Sequence, residues 1–188
     1  AAMAEAPRVV ASIKPVHSLA AAVMGGIATP GLIVDGAGSP HTYSLRPSQA
    51  AKLQDAGLIL WIGPELEQFL QGPIETISSK AHQVSLIDVE GIHTLSFRDG
   101  DADEEEHDGH DHAGTDPHIW LDPENSAAMA WEIARALAEV DPENAPIYTA
   151  NAEALAQKLD ALDAEIRALL SPVAGRPFIV FHDGYQYF

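Results

Sequence analysis

Strand-like apolar runs alternate with helical patterns through the first half of the chain. The strand candidates are residues 8–13, 31–34, 58–62 and 83–87. Helical patterns lie between them, at residues 15–24, 47–56 and 65–70. Apolar strands that alternate with helices are typical of a parallel sheet covered on both faces. The pattern therefore predicts an α/β fold with a parallel four-stranded sheet flanked by helices.

Two longer helices are predicted in the second half, each opened by the sequence Asp-Pro-Glu-Asn, at 122–125 and at 141–144. In each case Asp can cap free amides, Pro suits the first turn and Glu favours the positive end of the helix. The second helix, from Pro146 to Leu170, would be about 37 Å long at ~1.5 Å per residue, enough to run along two lobes.

A further apolar strand is predicted at residues 177–181, close to the end of the sequence. One strand with one loop after it does not make a domain. We therefore expect an N-terminal α/β lobe over residues 1–140 and a long linking helix over 141–170. Residues 171–188 are then the start of a second α/β lobe that is truncated in this sequence.

An acidic segment interrupts the pattern between residues 98 and 115, and it contains His107, His110 and His112. With almost no apolar residues it cannot bury enough surface to order itself, which predicts a mobile loop within the first lobe. One hypothesis is that its histidines collect zinc weakly and act as auxiliary metal ligands. A solvated spacer is the alternative that the composition supports equally well.

Charge and cysteine content narrow the possible functions. The chain has 28 acidic and 10 basic residues, a formal charge of -18, which argues against nucleic-acid binding. It has no cysteine, so thiolate zinc sites, thiol catalysis and disulfides are excluded. A transition-metal site would have to use His, Asp, Glu or water. No apolar run reaches the roughly 18 residues of a membrane span.

Three histidines lie in loops beside predicted elements, and two of them follow strands, where ligands of open α/β folds gather. His41 follows the second strand candidate, His118 precedes the first long helix, and His182 follows the strand predicted at 177–181. Each one alone could be a loop histidine with a hydrogen-bonding role. Together, three imidazoles and one open position suit zinc better than manganese or calcium, which prefer oxygen ligands.

Carboxylates near these histidines in sequence are candidates to orient the rings, as carboxylates often do around metal-bound imidazoles. Asp116, Asp122 and Asp183 meet this condition.

Five stretches, in this order along nearly the whole chain, resemble the ZnuA-type periplasmic zinc-binding receptors of ATP-driven importers. They are Ser12-Ile13-Lys14-Pro15, Ser39-Pro40-His41-Thr42-Tyr43-Ser44-Leu45-Arg46-Pro47-Ser48, Trp61-Ile62-Gly63-Pro64-Glu65, Asp116-Pro117-His118-Ile119-Trp120-Leu121-Asp122-Pro123 and Phe181-His182-Asp183. The resemblance implies two α/β lobes joined by a long helix, with Zn²⁺ held in the cleft by His41, His118 and His182. Manganese relatives are expected to carry a carboxylate in place of His182, which favours zinc.

The same resemblance implies an exported protein that captures Zn²⁺ in the periplasm and delivers it to an ABC-type permease, with a periplasmic metallochaperone as a further partner. Two departures concern the fourth ligand. Pro40 stands where some zinc receptors have an acidic residue, and an Asp that other members use from the second lobe has no counterpart in this sequence. The fourth ligand is therefore expected to be water, a loop histidine or a group outside this sequence, which predicts a fragment of a longer protein.

Other functions on the same fold remain open from the sequence. Three histidines and a water are also the pattern of a zinc hydrolase, with Glu65 as a conceivable base or neighbour of the metal ligands. No HExxH motif and no convincing Ser-His-Asp signature occurs, so we expect a receptor and not an enzyme. A receptor for manganese or another metal, and a zinc-buffering adhesin, are the remaining alternatives.

Overall fold

The computed structural model describes residues 6–98 and 114–188. The four strands are β1 (Val9–Ala11), β2 (Gly31–Leu32), β3 (Leu58–Trp61) and β4 (His82–Ser85). The five α-helices among these residues are α1 (Lys14–Val23), α2 (Pro47–Gln54), α3 (Gln68–Ile77), α4 (Pro123–Val140) and α5 (Ala145–Leu170). Short 3-10 turns occur at Pro40–Thr42, Leu86–Asp88, Ile119–Leu121, Pro142–Asn144 and Ser171–Val173.

The strands form one parallel sheet in the order β2-β1-β3-β4. The two central strands, β1 and β3, are buried along their whole length, which explains their continuous apolar sequences. Helices α1, α4 and α5 pack against one another, and α2 packs against α3. The predicted parallel four-stranded α/β fold is therefore confirmed, and all strands point their carboxyl ends to the same edge.

The two Asp-Pro-Glu-Asn sequences open their helices differently. The Asp122 side chain accepts a hydrogen bond from the Glu124 amide (2.8 Å), so it caps α4 as predicted. Asp141 does not cap α5, because its carboxylate accepts hydrogen bonds from the Tyr148 hydroxyl (2.6 Å) and the Asn144 side chain (2.8 Å). The Asp141 carboxylate thus bonds to the buried Tyr148 hydroxyl, one turn into the helix, and not to the free backbone amides that the local sequence predicted as its partners.

Helix α5 has 26 residues, and only Tyr148 and Ala152, in its first third, are buried. Its remaining two thirds carries exposed apolar side chains such as Leu162 and Leu169. Within the described ranges, no helix combines the length and the apolar character that crossing a membrane requires.

Two predicted elements are wrong in detail. The short helix expected at 65–70 is α3, which continues to Ile77 although Pro73 lies inside it, because Leu70 and Ile74 are buried on its inner face. Residues 177–181 do not form a strand: Ile179 and Phe181 are fully exposed, and no described strand pairs with this segment. Apolar character alone does not make a strand without a neighbouring backbone to bond.

The predicted acidic loop at 98–115 lies outside the described residues except at its two ends. The segments leading into and out of it, residues 95–97 and 114–116, form a short antiparallel pair that we call the stem. The Phe97 amide donates to the Gly114 carbonyl (3.2 Å) and the Asp116 amide donates to the Leu95 carbonyl (2.8 Å).

Candidate metal centre

Three imidazoles from distant parts of the sequence meet on one side of the molecule. His41 lies in the 3-10 turn that follows β2, His118 immediately precedes the 3-10 turn leading to α4, and His182 lies near the end of the described chain. One ring nitrogen from each histidine lies within 4.8 Å of the other two. The structure therefore brings together the three residues that the sequence singled out.

The spacing of the three rings matches what a small cation needs. The Nε2 atoms of His118 and His182 are 3.0 Å apart, and their ring centroids are 4.9 Å apart. The centroid of His41 lies 5.6 Å from that of His118 and 5.7 Å from that of His182. Tetrahedral ligands at the usual Zn–N distance have their nitrogens about 3.3 Å apart. Small side-chain movements would place all three nitrogens around one ion.

Asp116 fixes the orientation of the most buried of these rings. Its Oδ1 atom accepts hydrogen bonds from the His118 backbone amide (3.0 Å) and from His118 Nδ1 (2.7 Å). His118 is only 6% exposed, so this contact is well shielded from water. A proton on Nδ1 leaves the Nε2 lone pair directed at the other two histidines. This arrangement is common around metal-bound imidazoles.

Gln49 holds the loop that carries His41. The Gln49 side-chain amide donates to the Ile33 carbonyl (2.6 Å) and to the Tyr43 hydroxyl (2.7 Å), while its oxygen accepts from the Arg46 amide (2.8 Å). The Gln49 side chain is buried, so these bonds persist with little competition from water. One amide group from α2 therefore ties together both ends of the His41 loop.

An open cavity of about 640 Å³ lies over the three imidazoles. Gly184 stands between two of them: a Cβ atom there would lie 3.1 Å from the His118 ring and 3.2 Å from the His182 ring. The absence of a side chain at this position lets the two rings approach each other. Trp120, with its ring centroid 5.3 Å from that of His118, also lines the cavity.

The electrostatics of the site favour the neutral form of His41. Burial lowers its pKa, and so do the neighbouring imidazoles of His118 and His182, while the Asp116 carboxylate acts in the opposite direction. A neutral imidazole is the form that binds a metal ion.

The other predicted site residues fall elsewhere. Asp183 makes an ion pair with Arg98 (3.6 Å) and not with a histidine. Asp122 caps α4. Glu65 is exposed, has no hydrogen bond or ion pair with another described residue, and lies with its carboxylate beside Gly63. A role for Asp183 or Glu65 in orienting the three rings therefore finds no contact in the structure. His107, His110 and His112 lie outside the described residues.

One buried acid was missed by sequence reasoning. Glu67 is fully buried at the carboxyl ends of β1 and β3, where it accepts hydrogen bonds from the Ser12 hydroxyl and from the amides of Ile62 (3.1 Å) and Gly63 (3.1 Å). Burial raises its pKa to about 7, against the opposing effect of these hydrogen bonds. Its partners are 55 residues away or in the preceding loop, so no local sequence signal marks it.

A parallel sheet with three converging imidazoles beyond its strands is the arrangement of a metal-binding α/β protein. The sequence model of one protein family, ZnuA, described as the periplasmic zinc-uptake complex component A, matches residues 9–188. The chain belongs to this family.

Curated relatives agree with this assignment. The high-affinity zinc uptake system proteins ZnuA of Brucella abortus and Paracoccus denitrificans are 46% and 41% identical to the chain, over 96% and 100% of its length. The chain spans 63% and 64% of these two proteins. The iron-binding protein YfeA of Yersinia pestis is 31% identical over 94% of the chain, which spans 53% of that protein.

Solved structures show the same fold. A crystal structure of ZnuA superimposes with a TM-score of 0.81 at 28% identity, covering 96% of this chain and 66% of that one. A zinc-bound deletion mutant of ZnuA gives a TM-score of 0.81 at 29% identity, over 96% of this chain and 65% of that one. The periplasmic zinc-binding protein TroA of Treponema pallidum, at 22% identity and a TM-score of 0.74, shares the fold over 89% of this chain and 56% of that one.

Proposed function

We propose that this chain is the zinc-binding part of a periplasmic receptor that captures Zn²⁺ and delivers it to an ABC-type permease. The observation that carries the proposal is the convergence of His41, His118 and His182, with one nitrogen of each within 4.8 Å of the others. The three nitrogens would supply three ligands of a zinc ion, and the cavity over the imidazoles leaves space for a fourth. Capture needs such a preformed site, and delivery needs an exposed one.

The donor set favours zinc over other divalent cations. Three neutral nitrogens suit Zn²⁺, whereas manganese prefers oxygen ligands, and no carboxylate of the described residues joins the three histidines. Iron is the second candidate, because the related YfeA of Yersinia pestis is described as iron-binding. Competition between Zn²⁺, Fe²⁺ and Mn²⁺ for one site, under anaerobic conditions, separates these alternatives.

Zinc titration against a chelator of known affinity tests the site. Replacing any one of His41, His118 and His182 by Ala should abolish the tight site, because the two remaining imidazoles leave too few protein ligands for a tetrahedral zinc ion. The matched control is His93→Ala, because His93 is an exposed histidine away from the cavity. Tight zinc binding by the triple variant would show that the site has been misassigned.

A receptor is proposed over a zinc hydrolase. A hydrolase needs a general base beside the metal-bound water, and Glu65, the base considered from the sequence, makes no contact with the three histidines. Zinc-dependent turnover of esters or peptides, lost on His118→Ala, would overturn this part of the proposal.

His107, His110 and His112 are proposed to collect zinc near the main site with lower affinity, because the sequence around them is poor in apolar residues and the mobile loop that it predicts would lose conformational entropy on binding. Deleting residues 101–113, and thus keeping the stem, should spare the tight site and remove only weaker uptake. Loss of the tight site would contradict the collector role. Contact with a periplasmic metallochaperone is a further proposal, tested by zinc transfer from such a donor to wild type and to the deletion variant.

A further inference from the structure

The Tyr187 hydroxyl occupies an unusual position inside the stem. In an antiparallel pair, every second pair of facing residues exchanges two backbone hydrogen bonds, and Leu95 and Asp116, which flank the Ser96–Thr115 bridge, form such a pair. Leu95 and Asp116 face each other, but they make only one of these bonds directly, from the Asp116 amide to the Leu95 carbonyl (2.8 Å). The second is relayed by Tyr187: the Leu95 amide donates to its hydroxyl (2.9 Å), which donates to the Asp116 carbonyl (2.7 Å).

This inserted hydroxyl connects the segments that carry two of the three imidazoles. Asp116 holds the His118 backbone and ring through its carboxylate, while its carbonyl accepts from Tyr187. Tyr187 lies five residues after His182 in the sequence. The position of His182 relative to His118 therefore depends on a short path through Tyr187 and Asp116.

Among the described residues, only a few side-chain contacts fix the segment that carries His182. Among the described residues, 177–188 contains no helix or strand, and His182 itself is exposed. Two neighbouring residues hold the same segment beside Tyr187. Asp183, next to His182, makes an ion pair with Arg98 (3.6 Å). Gln186 donates to the Ser96 carbonyl (2.8 Å) and accepts from Arg98 (3.0 Å), both at exposed positions. The Tyr187 hydroxyl is partly buried and satisfies both of its roles, so it is the contact with the least competition from water.

We propose that Tyr187 is a positioning residue for zinc binding. Its hydroxyl bridges Leu95 and Asp116 in the stem and so holds His182 close enough to His118 for both rings to bind one zinc ion. This inference rests on the proposed zinc-binding function and adds a residue that touches neither the metal ion nor its ligands. Its effect must therefore pass through a ligand, and we place it at His182, which lies on the same segment as Tyr187, because the Asp116 carboxylate itself still holds His118.

The test is Tyr187→Phe in the 188-residue chain, with zinc affinity measured by chelator competition and zinc release by stopped-flow. Removal of a group that orients a metal ligand typically costs 10- to 100-fold in affinity, so we expect a loss of about 10-fold, mainly as faster release. The matched control is Tyr148→Phe, which removes a hydroxyl bonded to Asp141 (2.6 Å) at the start of α5. The control should lose stability without losing zinc affinity.

A double-mutant cycle separates positioning from general destabilisation. In the His182→Ala background the effect of Tyr187→Phe on the residual zinc affinity should disappear, since no ring remains to be positioned. An equal effect in both backgrounds would overturn the inference. Should Tyr187→Phe fail to fold, Gln186→Ala is the second variant, because it breaks the neighbouring contacts with Ser96 and Arg98. We expect a smaller loss of zinc affinity that again depends on His182. An unchanged zinc affinity would overturn the inference.

The two proposals fail in different ways. Failure of the wild-type chain to bind zinc would overturn both. Wild-type zinc affinity in Tyr187→Phe, beside a loss of affinity in His182→Ala, would overturn the role of Tyr187 alone.

Discussion

Replacing Glu67 by Gln should remove a pH dependence of stability that one buried carboxyl group creates. The ordinary pKa of this group is 4.5, and burial raises it to about 7 in the folded chain. Between these values the folded chain holds a proton that the unfolded chain has released. The stabilisation is therefore fully present below pH 4.5 and is lost as the pH rises through about 7.

The size of this effect follows from the shift. One pKa unit corresponds to about 1.4 kcal/mol, so the free energy of unfolding should fall by about 3 kcal/mol across the window. Gln copies the protonated acid, because its oxygen can accept from the amides of Ile62 and Gly63 while its amide donates to the Ser12 hydroxyl. The Glu67→Gln variant should therefore lack this slope.

Urea denaturation of the metal-free chain, followed by circular dichroism from about pH 5 to about pH 8, measures the effect. The quantity of interest is the difference in free energy of unfolding between wild type and Glu67→Gln, in which the other titrating groups cancel. Glu75→Gln makes the same chemical change at an exposed glutamate of α3 and is the matched control. A wild-type minus Glu67→Gln difference that stays constant with pH would refute the reasoning.

Four further outcomes are expected. Gly184→Ala should weaken zinc binding, because the new methyl group presses on the His182 ring, whereas Gly72→Ala, with open space around it, should leave binding unchanged in the same chelator competition. Leu60→Ala, at a fully buried position of the sheet, should lower the free energy of unfolding by roughly 2–5 kcal/mol in urea titrations. Asp122→Ala removes a helix cap and should cost about 1 kcal/mol in the same measurement. Acidification should release zinc, followed with a zinc-sensitive dye, since protons compete for the three imidazoles.

The sequence predicted the sheet well because β1 and β3 are buried on both sides, and burial of that kind leaves continuous apolar runs. It was less successful where tertiary contacts decide the outcome. Helix α3 continues past Pro73 because its inner face is buried, and residues 177–181 remain unpaired despite their apolar side chains. Local sequence patterns indicate which faces of an element are apolar. They do not indicate whether another strand or helix lies against that face in the folded chain.

The candidate site shows the same division. Loop positions beside predicted strands and a helix indicated that His41, His118 and His182 could meet, and in the structure they do. Sequence proximity suggested that both Asp116 and Asp183 orient the rings, but only Asp116 contacts one. Nearness along the chain shows which carboxylate can reach a ring, while the choice of partner depends on residues far away, such as Arg98 for Asp183.

Helix α5 lies between His118 and His182 in the sequence and is long enough to amplify a small rotation. Its only buried residues, Tyr148 and Ala152, lie near one end, and about 27 Å of helix extends from Ala152 to Leu170. A tilt of about 5° around the buried end would move the far end by roughly 2 Å, a distance comparable to one Zn–N bond. His118 lies before this helix and His182 beyond it. A tilt on that scale would therefore shift the start of the segment that carries His182 by about one Zn–N bond length, and the contacts of Gln186 and Tyr187 with the stem oppose such a shift.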